Sequence, residues 1–200
     1  MTRIVLATRN KAKLEELARI LADADLPLQV CGVDQFDDVP EVAETGTTFA
    51  ENALLKARAV AAATGVPAVA DDSGLCVDAL NGMPGIFSAR WAGKHGDDEA
   101  NLDLVLGQMQ DVPDERRGAH FACAGALALP DGTGETVLAT ITGELLRERR
   151  GTNGFGYDPI FRPYGHERTT AEMSAEEKDA ISHRGQALRA LLPALRRLTI

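Results

Sequence analysis

Two adjacent carboxylates, Asp71 and Asp72, stand in the segment Ala70-Asp71-Asp72-Ser73-Gly74 and could bind a metal ion or accept a proton. The short apolar run Val66 to Ala70 before them predicts a central strand that ends at Asp71 and Asp72. Adjacent carboxylates are expensive to bury unless a cation or a basic group compensates their charge. Carboxylate oxygens favour Mg²⁺, which usually keeps several waters and also binds substrate phosphates. The segment therefore predicts a magnesium site, with a solvated aspartate-rich turn as the alternative.

The segment Thr8-Arg9-Asn10-Lys11-Ala12-Lys13 follows a predicted strand and opens a predicted helix. Such a helix start presents free backbone N–H groups and the positive end of the helix dipole, which together attract anions. Thr8 and Asn10 can cap the helix or donate hydrogen bonds, and Lys13 can reach back to an anion. The glycine-rich P-loop pattern is absent, which disfavours a Walker-type ATPase. The segment indicates a phosphate cradle, and the alternative is a capped helix with solvated lysines.

A second helix start lies between Glu44 and Lys56. Glu44 is a candidate to share a cation with Asp72, and Lys56, about two turns into the helix, could face phosphate. Between them, Thr48 and Glu51 have the spacing of a capping box. We therefore expect Thr48 and Glu51 to cap the helix rather than to catalyse.

A glycine-flanked aromatic in Gly154-Phe155-Gly156-Tyr157-Asp158-Pro159 is exposed without crowding, which suits stacking on a base. Asp158 could accept hydrogen bonds from a base edge. Farther along, Lys178, His183 and Arg184 have a spacing that allows one helical face, and could bind an anion or the carbonyl edge of a base. The alternatives are a plain turn and a structural histidine.

Composition limits the class of protein. The 200 residues are 44% hydrophobic and 26% charged with a net charge of −9, which is ordinary for a globular protein. The negative balance argues against a general nucleic-acid coat and against binding to an anionic membrane. The 3 cysteines cannot form a closed disulfide set, and no apolar run is long enough for a signal-peptide core or a membrane span. We expect a cytoplasmic protein with one domain, residues 1–200.

The elements predicted to position these residues alternate between short strands and amphipathic helices, with a hairpin late in the chain. This order predicts an α/β fold with a mixed sheet. The predicted strands are 3–7, 28–33, 66–70, 121–129 and 135–141, and the predicted helices are 11–21, from about 48 to 64, 97–109 and a C-terminal region that begins after Ser174 and is interrupted at Pro193.

Taken jointly, these segments resemble the inosine/xanthosine triphosphate pyrophosphatase family, and the resemblance runs nearly the whole chain. The matching segments are Thr8-x-Asn10-x-x-Lys13, Glu44-Thr45-Gly46-x-Thr48-Phe49-x-Glu51-Asn52-Ala53-x-x-Lys56-Ala57, Ala70-Asp71-Asp72-Ser73-Gly74, Gly82-x-Pro84-Gly85-Ile86-x-Ser88-Ala89-Arg90, Gly154-Phe155-Gly156-Tyr157-Asp158-Pro159 and Lys178-x-x-x-Ser182-His183-Arg184-Gly185. Arg9 stands where many members have Gly, and Ala43 where some have an acidic residue beside Glu44.

The resemblance implies an elongated mixed sheet flanked by helices, two lobes with a central cleft, and usually a homodimer. It implies hydrolysis of ITP, dITP and XTP to the monophosphate and pyrophosphate, with Mg²⁺. The residues implied to act are Thr8, Arg9, Asn10, Lys11, Ala12, Lys13 and Lys56 on the triphosphate; Asp72 as metal ligand and proton acceptor; Glu44 as a second metal ligand; Ser73 as a substrate contact; and Phe155, Gly156, Tyr157, Asp158, Lys178, His183 and Arg184 on the nucleotide, chiefly its base.

Two other functions remain open from the sequence. One is a module that senses purine triphosphates without cleaving them, although paired carboxylates beside Lys13 and Lys56 are more than binding alone needs. The other is a different nucleotide hydrolase, such as a general dNTP pyrophosphatase or a nucleotide phosphatase. The products of the reaction, measured over a panel of nucleotides, distinguish these functions.

Overall fold

The protein, described by a computed structural model over residues 2–199 without the side chain of Ala12, alternates strands and helices. Its strands in this range are β1 (Thr2–Leu6), β2 (Leu28–Gly32), β3 (Ala68–Val77), β4 (Met83–Pro84), β5 (Gly118–Ala128), β6 (Gly134–Leu145) and β7 (Phe161–Pro163). Its α-helices are α1 (Lys11–Asp23), α2 (Phe49–Thr64), α3 (Asp98–Gln108), α4 (Ala175–Ile181), α5 (His183–Ala190) and α6 (Leu192–Arg196).

The strands form one mixed sheet in the order β2-β1-β3-β5-β6-β7, and β4 pairs with β3. β1 runs parallel to β2, with Val5 opposite Cys31, and parallel to β3, with Val5 opposite Ala68. β4 is antiparallel to β3, and β7 is antiparallel to β6. A mixed sheet flanked by helices confirms the α/β class expected from the order of the elements.

The chain divides into two compact units. The first unit contains the residues up to Asp72, Cys123–Ala139 and the residues from Arg184 onward, and the second contains Ser73–Ala122 and Thr140–His183. Each unit has its own apolar core. The expectation of a single domain stays a prediction.

In the first unit, α1 covers one face of the strands with large apolar side chains, and α2 covers the other face with small ones. On one face, Leu17 and Leu21 of α1 pack with Ile4 and Leu6, because residues four apart share one side of a helix. On the other face, α2 approaches through small residues, Ala53, Ala57 and Ala61 among them, all fully buried. Small side chains let α2 lie close to the strands, which brings the residues on its flanks near the strand ends.

The second unit has a larger-residue core. Leu102, Val105 and Met109 recur at helical spacing along and just beyond α3, and they are fully or almost fully buried against Phe121 and Phe161. The rings of Phe121 and Phe161 meet edge to face with their centroids 4.7 Å apart. This core supports the turns that carry the aromatic residues of the late glycine-rich segment.

The helix boundaries predicted from local signals are confirmed to within a few residues. Thr48 caps α2 by accepting a hydrogen bond from the Glu51 N–H at 3.1 Å, and Gly65 ends it with a φ of +67°. Ser174 and Glu177 form the predicted capping box of α4. Pro193 stands in the first turn of α6, where its ring ends the preceding helix.

The predicted end of the central strand is wrong. β3 does not stop at Asp71 and Asp72 but continues through them to Val77. The apolar residues Leu75, Cys76 and Val77 extend it into the core of the second unit, and the two aspartates are tolerated inside the strand because cationic side chains neutralise them. The pairing of β1 with β3 reaches only Val69, so the carboxylates lie just past the end of β1.

Gly74 lies where β3 meets the segment Gly85–Arg90 of the second unit. A Cβ at Gly74 would collide with the Gly85 carbonyl oxygen and with the hydroxyl of Ser88. We expect Gly74→Ala to destabilise the protein by about 1–3 kcal/mol, because the strand and the segment must separate to admit the methyl group. Thermal unfolding measures the effect.

A matched control for Gly74→Ala is Gly107→Ala. Gly107 lies in α3 with no atom within 4 Å of an added Cβ, so alanine there should leave the melting temperature unchanged or raise it. A Gly74→Ala variant as stable as Gly107→Ala would contradict the close approach.

The 3 cysteines are free and buried. Burial raises the pKa of the Cys123 thiol to about 12, and the negative charge of Asp71 adds to this effect. Across residues 2–199, no helix has the length and apolar character needed to span a bilayer.

Candidate active site

The loop between β1 and α1 gives the first unit a helix N-terminus beside the strand ends. The N–H of Asn10 donates to the Thr8 hydroxyl at 3.1 Å, and the N–H of Leu14 donates to the Asn10 carbonyl at 3.3 Å. The N–H groups of the first turn have no acceptor within the helix. Arg9, Asn10 and Lys11 are exposed. The side chain of Ala12 lies outside the described residues.

Asp71 holds two cations that come from distant parts of the chain. Its carboxylate accepts from Lys13 Nζ at 2.8 and 3.0 Å and from Arg184 Nε at 3.3 Å. Burial alone would raise the pKa of Asp71, but the charges of Lys13 and Arg184 outweigh burial and hold the pKa well below its usual range. Asp71 therefore stays ionised and fixes both cations in the first unit.

Lys56 joins Asp72 to Glu44. Its ammonium group donates to Glu44 Oε1 at 2.8 Å and to Asp72 Oδ1 at 3.2 Å. Burial and the nearby charge of Glu44 raise the pKa of Asp72 despite the opposing effect of Lys56. Burial would lower the pKa of Lys56, but the charges of Asp72 and Glu44 raise it. Glu44 and Lys56 thus lie together although 12 residues separate them, and their predicted roles on a metal ion and on phosphate stay predictions.

The Asp71 carboxylate with its two cations and the Asp72 carboxylate with Lys56 lie on opposite faces of β3, because successive side chains of a strand alternate. They are nevertheless electrostatically coupled, since the charge of Lys56 also lowers the pKa of Asp71. A pocket of about 230 Å³ is lined by Thr8, Arg9 and Lys56, so the loop before α1 and the lysine of α2 share one opening. The pocket thus joins part of the predicted phosphate-binding segment to Lys56, and a single site shared by the predicted phosphate and metal residues stays a prediction.

The second unit carries an exposed aromatic ring with a lysine above it. Phe155 is 62% exposed, and Lys178 Nζ lies 4.8 Å from the centre of its ring. Asp158 is buried and accepts from Lys178 Nζ at 2.5 Å, from the Phe155 N–H at 2.8 Å and from the Thr170 hydroxyl at 2.7 Å. The carboxylate of Asp158 thus fixes Lys178 and the Phe155 loop.

The remaining predicted base contacts of the second unit are less exposed. The Gly156 N–H donates to Asp98 at 3.0 Å, and the buried Tyr157 hydroxyl donates to the Ser88 carbonyl at 2.9 Å. Burial raises the pKa of Tyr157. The half-buried His183 stacks on Phe121 with ring centres 5.0 Å apart. Ser73 is half-buried in β3.

Sequence reasoning placed Arg184 on the nucleotide, chiefly its base. It counted Asp71 only as one of the two adjacent carboxylates of a predicted magnesium site, and it gave Asn52 no role. Arg184 lies in the first unit on Asp71, and Asn52 is fully buried in α2. A signal for Asn52 was available, because Asn is a poor helix former and here stands among the alanines of α2. No comparable local signal pairs Asp71 with Arg184, 113 residues away.

These features define an α/β protein whose first unit concentrates cations and carboxylates at a strand end. The Ham1 family matches residues 4–194, and the chain belongs to this family. A dITP/XTP pyrophosphatase from Streptomyces coelicolor is 66% identical over 198 residues, 99% of each chain. Its counterpart from Mycobacterium tuberculosis is 54% identical, over 99% of this chain and 97% of that protein. A HAM1 protein structure from Coxiella burnetii superposes with a TM-score of 0.90 at 46% identity, covering 98% of this chain and 100% of that one.

Proposed function

We propose that this protein hydrolyses the non-standard purine triphosphates ITP, dITP and XTP to the monophosphate and pyrophosphate, removing them from the nucleotide pool. Full-length similarity to proteins named dITP/XTP pyrophosphatase supports the reaction. The observation that carries the proposal is the site of the first unit, where Lys13 and Lys56 hold the adjacent carboxylates Asp71 and Asp72 beside a helix N-terminus.

The triphosphate would bind at the end of β1. The side chains of Lys13 and Lys56 are 24% and 20% exposed, so each ammonium group is accessible to a phosphate from solvent. Their carboxylate partners keep them in place in the free protein, and phosphate oxygens compete for the same N–H donors. The first-turn N–H groups of α1 and the exposed Arg9 and Lys11 add donors and positive charge.

Phosphoryl transfer depends mainly on neutralising charge and aligning the reactants. The oxygen of a water molecule attacks the α-phosphorus, the bond to the bridging oxygen breaks, and pyrophosphate leaves. Asp72 accepts the proton of the water on a carboxylate oxygen. Lys13 and Lys56 stabilise the charge that develops on pyrophosphate.

The residues at this site fit Mg²⁺. No group of three or more His, Cys, Asp or Glu side chains in residues 2–199 forms a closed metal cage. Mg²⁺ commonly needs only one or two carboxylates together with substrate phosphates. Asp72 and Glu44 supply these carboxylates, and the buried Oδ2 of Asp72 has no hydrogen-bond partner among the described residues. Mg²⁺ would neutralise phosphate charge and acidify a bound water.

The base would be recognised by the second unit. The exposed ring of Phe155 offers a stacking surface, and Lys178, fixed by Asp158, offers a donor for the 6-oxo group of hypoxanthine or xanthine. Adenine carries an amino group at that position, so the donor would remain unpaired. The buried carboxylate of Asp158 acts in this proposal by positioning Lys178 rather than by direct contact with the base.

A nucleotide panel tests the proposed function. With Mg²⁺, ITP and XTP should yield pyrophosphate and the monophosphate, with kcat/KM exceeding that for ATP by roughly 10⁴-fold, because a site built to hydrogen-bond one base edge rejects a mismatched one. Pyrophosphate and orthophosphate are measured separately on the same samples. Orthophosphate with a nucleoside diphosphate, equal rates on ATP and ITP, or binding without turnover would each contradict the proposal.

We also propose a cytoplasmic location and a homodimer. The substrates belong to the nucleotide pool, and the 3 free cysteines suit a reducing compartment. The dimer is supported by the family resemblance of the sequence.

A further inference from the structure

The exposed ring of Phe155 stands between two glycines in left-handed backbone conformations. Gly154 has a φ of +75° and Gly156 a φ of +59°. Glycine restricts the backbone less than any other residue, so such a segment samples many conformations unless other contacts fix it. A ring that becomes ordered only when a ligand binds loses part of the binding free energy to that ordering. The contacts that fix this segment in the free protein therefore affect how well Phe155 can bind a base.

Two carboxylates fix the segment through consecutive backbone N–H groups. The Phe155 N–H donates to Asp158 Oδ2 at 2.8 Å, and the Gly156 N–H donates to Asp98 Oδ2 at 3.0 Å. Asp158 belongs to the same turn, 3 residues along the chain, whereas Asp98 is the first residue of α3 and is 58 residues away. The backbone of Phe155 is therefore held on one side by its own turn and on the other side by a separate helix.

The helix α3 is a firm anchor because the core of the second unit fixes it. Leu102 and Val105 are buried in that core. The same helix also binds the chain that leads into the Phe155 segment, since Arg149 donates to Glu99 and, at 2.7 Å, to Asp103. The approach to the segment and its tip are thus attached to one helix.

We infer that Asp98 is a positioning residue for the ring of Phe155 and so contributes to binding of the purine base, and this inference rests on the proposed function. By holding the Gly156 N–H, the Asp98 carboxylate keeps the exposed ring in one orientation before the base stacks on it. Asp158 holds Lys178 as well as the Phe155 N–H, so its loss would disturb two interactions at once. Asp98 belongs to the second unit, whereas the residues proposed to act on the phosphates belong to the first. Its loss should therefore weaken binding of the base and leave the chemical step unchanged.

The kinetic test compares Asp98→Ala, Asp98→Asn and Glu99→Ala on ITP. Asp98→Ala removes the acceptor of the Gly156 N–H, and we expect KM to rise by about 3- to 10-fold with kcat changed by less than about twofold. Asp98→Asn keeps an oxygen that can accept the hydrogen bond, so its KM should stay within about twofold of the parent value. Glu99→Ala is the matched control, because it removes a neighbouring charge from the same helical turn while Arg149 retains Asp103. Equal KM values for Asp98→Ala and Glu99→Ala, or a lower kcat with KM unchanged, would overturn the inference.

Inorganic triphosphate separates binding of the base from binding of the phosphates. It carries no base, so as a competitive inhibitor of ITP hydrolysis it should have the same inhibition constant for the parent protein and for Asp98→Ala. An inhibition constant that rises as much as KM would show that the substitution damages phosphate binding, and would contradict a role on the base.

A further measurement needs neither substrate nor turnover. Because Asp98 is exposed, its variants should fold like the parent protein, and ¹H–¹⁵N relaxation then reports the order of the Phe155 and Gly156 amides in each. Both amides should become more mobile in Asp98→Ala and stay as ordered as in the parent protein in Glu99→Ala. If their order is unchanged in Asp98→Ala, the inference fails even for an active pyrophosphatase. If they become mobile but the parent protein hydrolyses no purine triphosphate, the proposed function fails, and the role of Asp98 on the base fails with it.

Discussion

Asp72→Asn is expected to lower kcat on ITP by about 10²- to 10⁴-fold at saturating Mg²⁺, the range that general acid–base catalysis contributes. The substitution keeps the shape of the side chain but removes the charge that would hold a cation and the oxygen that would accept a proton. Lys56 retains its contact with Glu44, so phosphate binding should be affected less than turnover. Initial rates of pyrophosphate release give kcat and KM.

The same variant should not lose stability. Because burial raises the pKa of Asp72, its charged form is less favourable in the folded protein than in the unfolded chain. At neutral pH the neutral amide removes that cost, and the melting temperature should be unchanged or higher. The exposed Asp111→Asn serves as a control for a charge change outside the site. Near-normal turnover in Asp72→Asn would refute the assignment of Asp72.

Asp71→Asn is expected to destabilise the protein by about 3–5 kcal/mol, because it leaves Lys13 and Arg184 without their shared partner in a site where the aspartate side chain is only 7% exposed. For a chain of this size each kcal/mol corresponds to about 2–4 °C in melting temperature. Urea and thermal unfolding measure the loss. Asp71→Asn should thus lower the stability of the protein, whereas Asp72→Asn at the adjacent position should lower the rate of catalysis.

The pH dependence of the Asp71→Asn effect follows from the lowered pKa of Asp71. A carboxyl group with a lower pKa in the folded state adds stability that is fully present above its unfolded pKa, about 3.9, and is lost as pH falls through the folded value. The stability difference between the parent protein and Asp71→Asn should be constant from pH 5 to 8 and shrink below about pH 4. A difference that is already absent at pH 7 would show that the cations have found other partners.

The ends of the helices could be predicted wherever residues within one helical turn determine them. The cap at Thr48, the left-handed Gly65 and the break near Pro193 each depend on residues within one helical turn. The end of β3 was not predictable in this way. Asp71 and Asp72 resemble a turn by composition, but long-range ion pairs allow the strand to continue through them.

The α/β class, most helix boundaries and the residue types of the site follow from the amino-acid sequence, because periodicity, capping and chemical character are local properties of the chain. Which carboxylate binds which cation depends instead on contacts between distant parts of the chain. Asp71 meets Lys13 from 58 residues away and Arg184 from 113 residues away, whereas Asp72 meets Lys56 from 16. The reason is the alternation of side chains along β3, which turns two chemically identical neighbours towards opposite faces of the sheet and so gives them different partners.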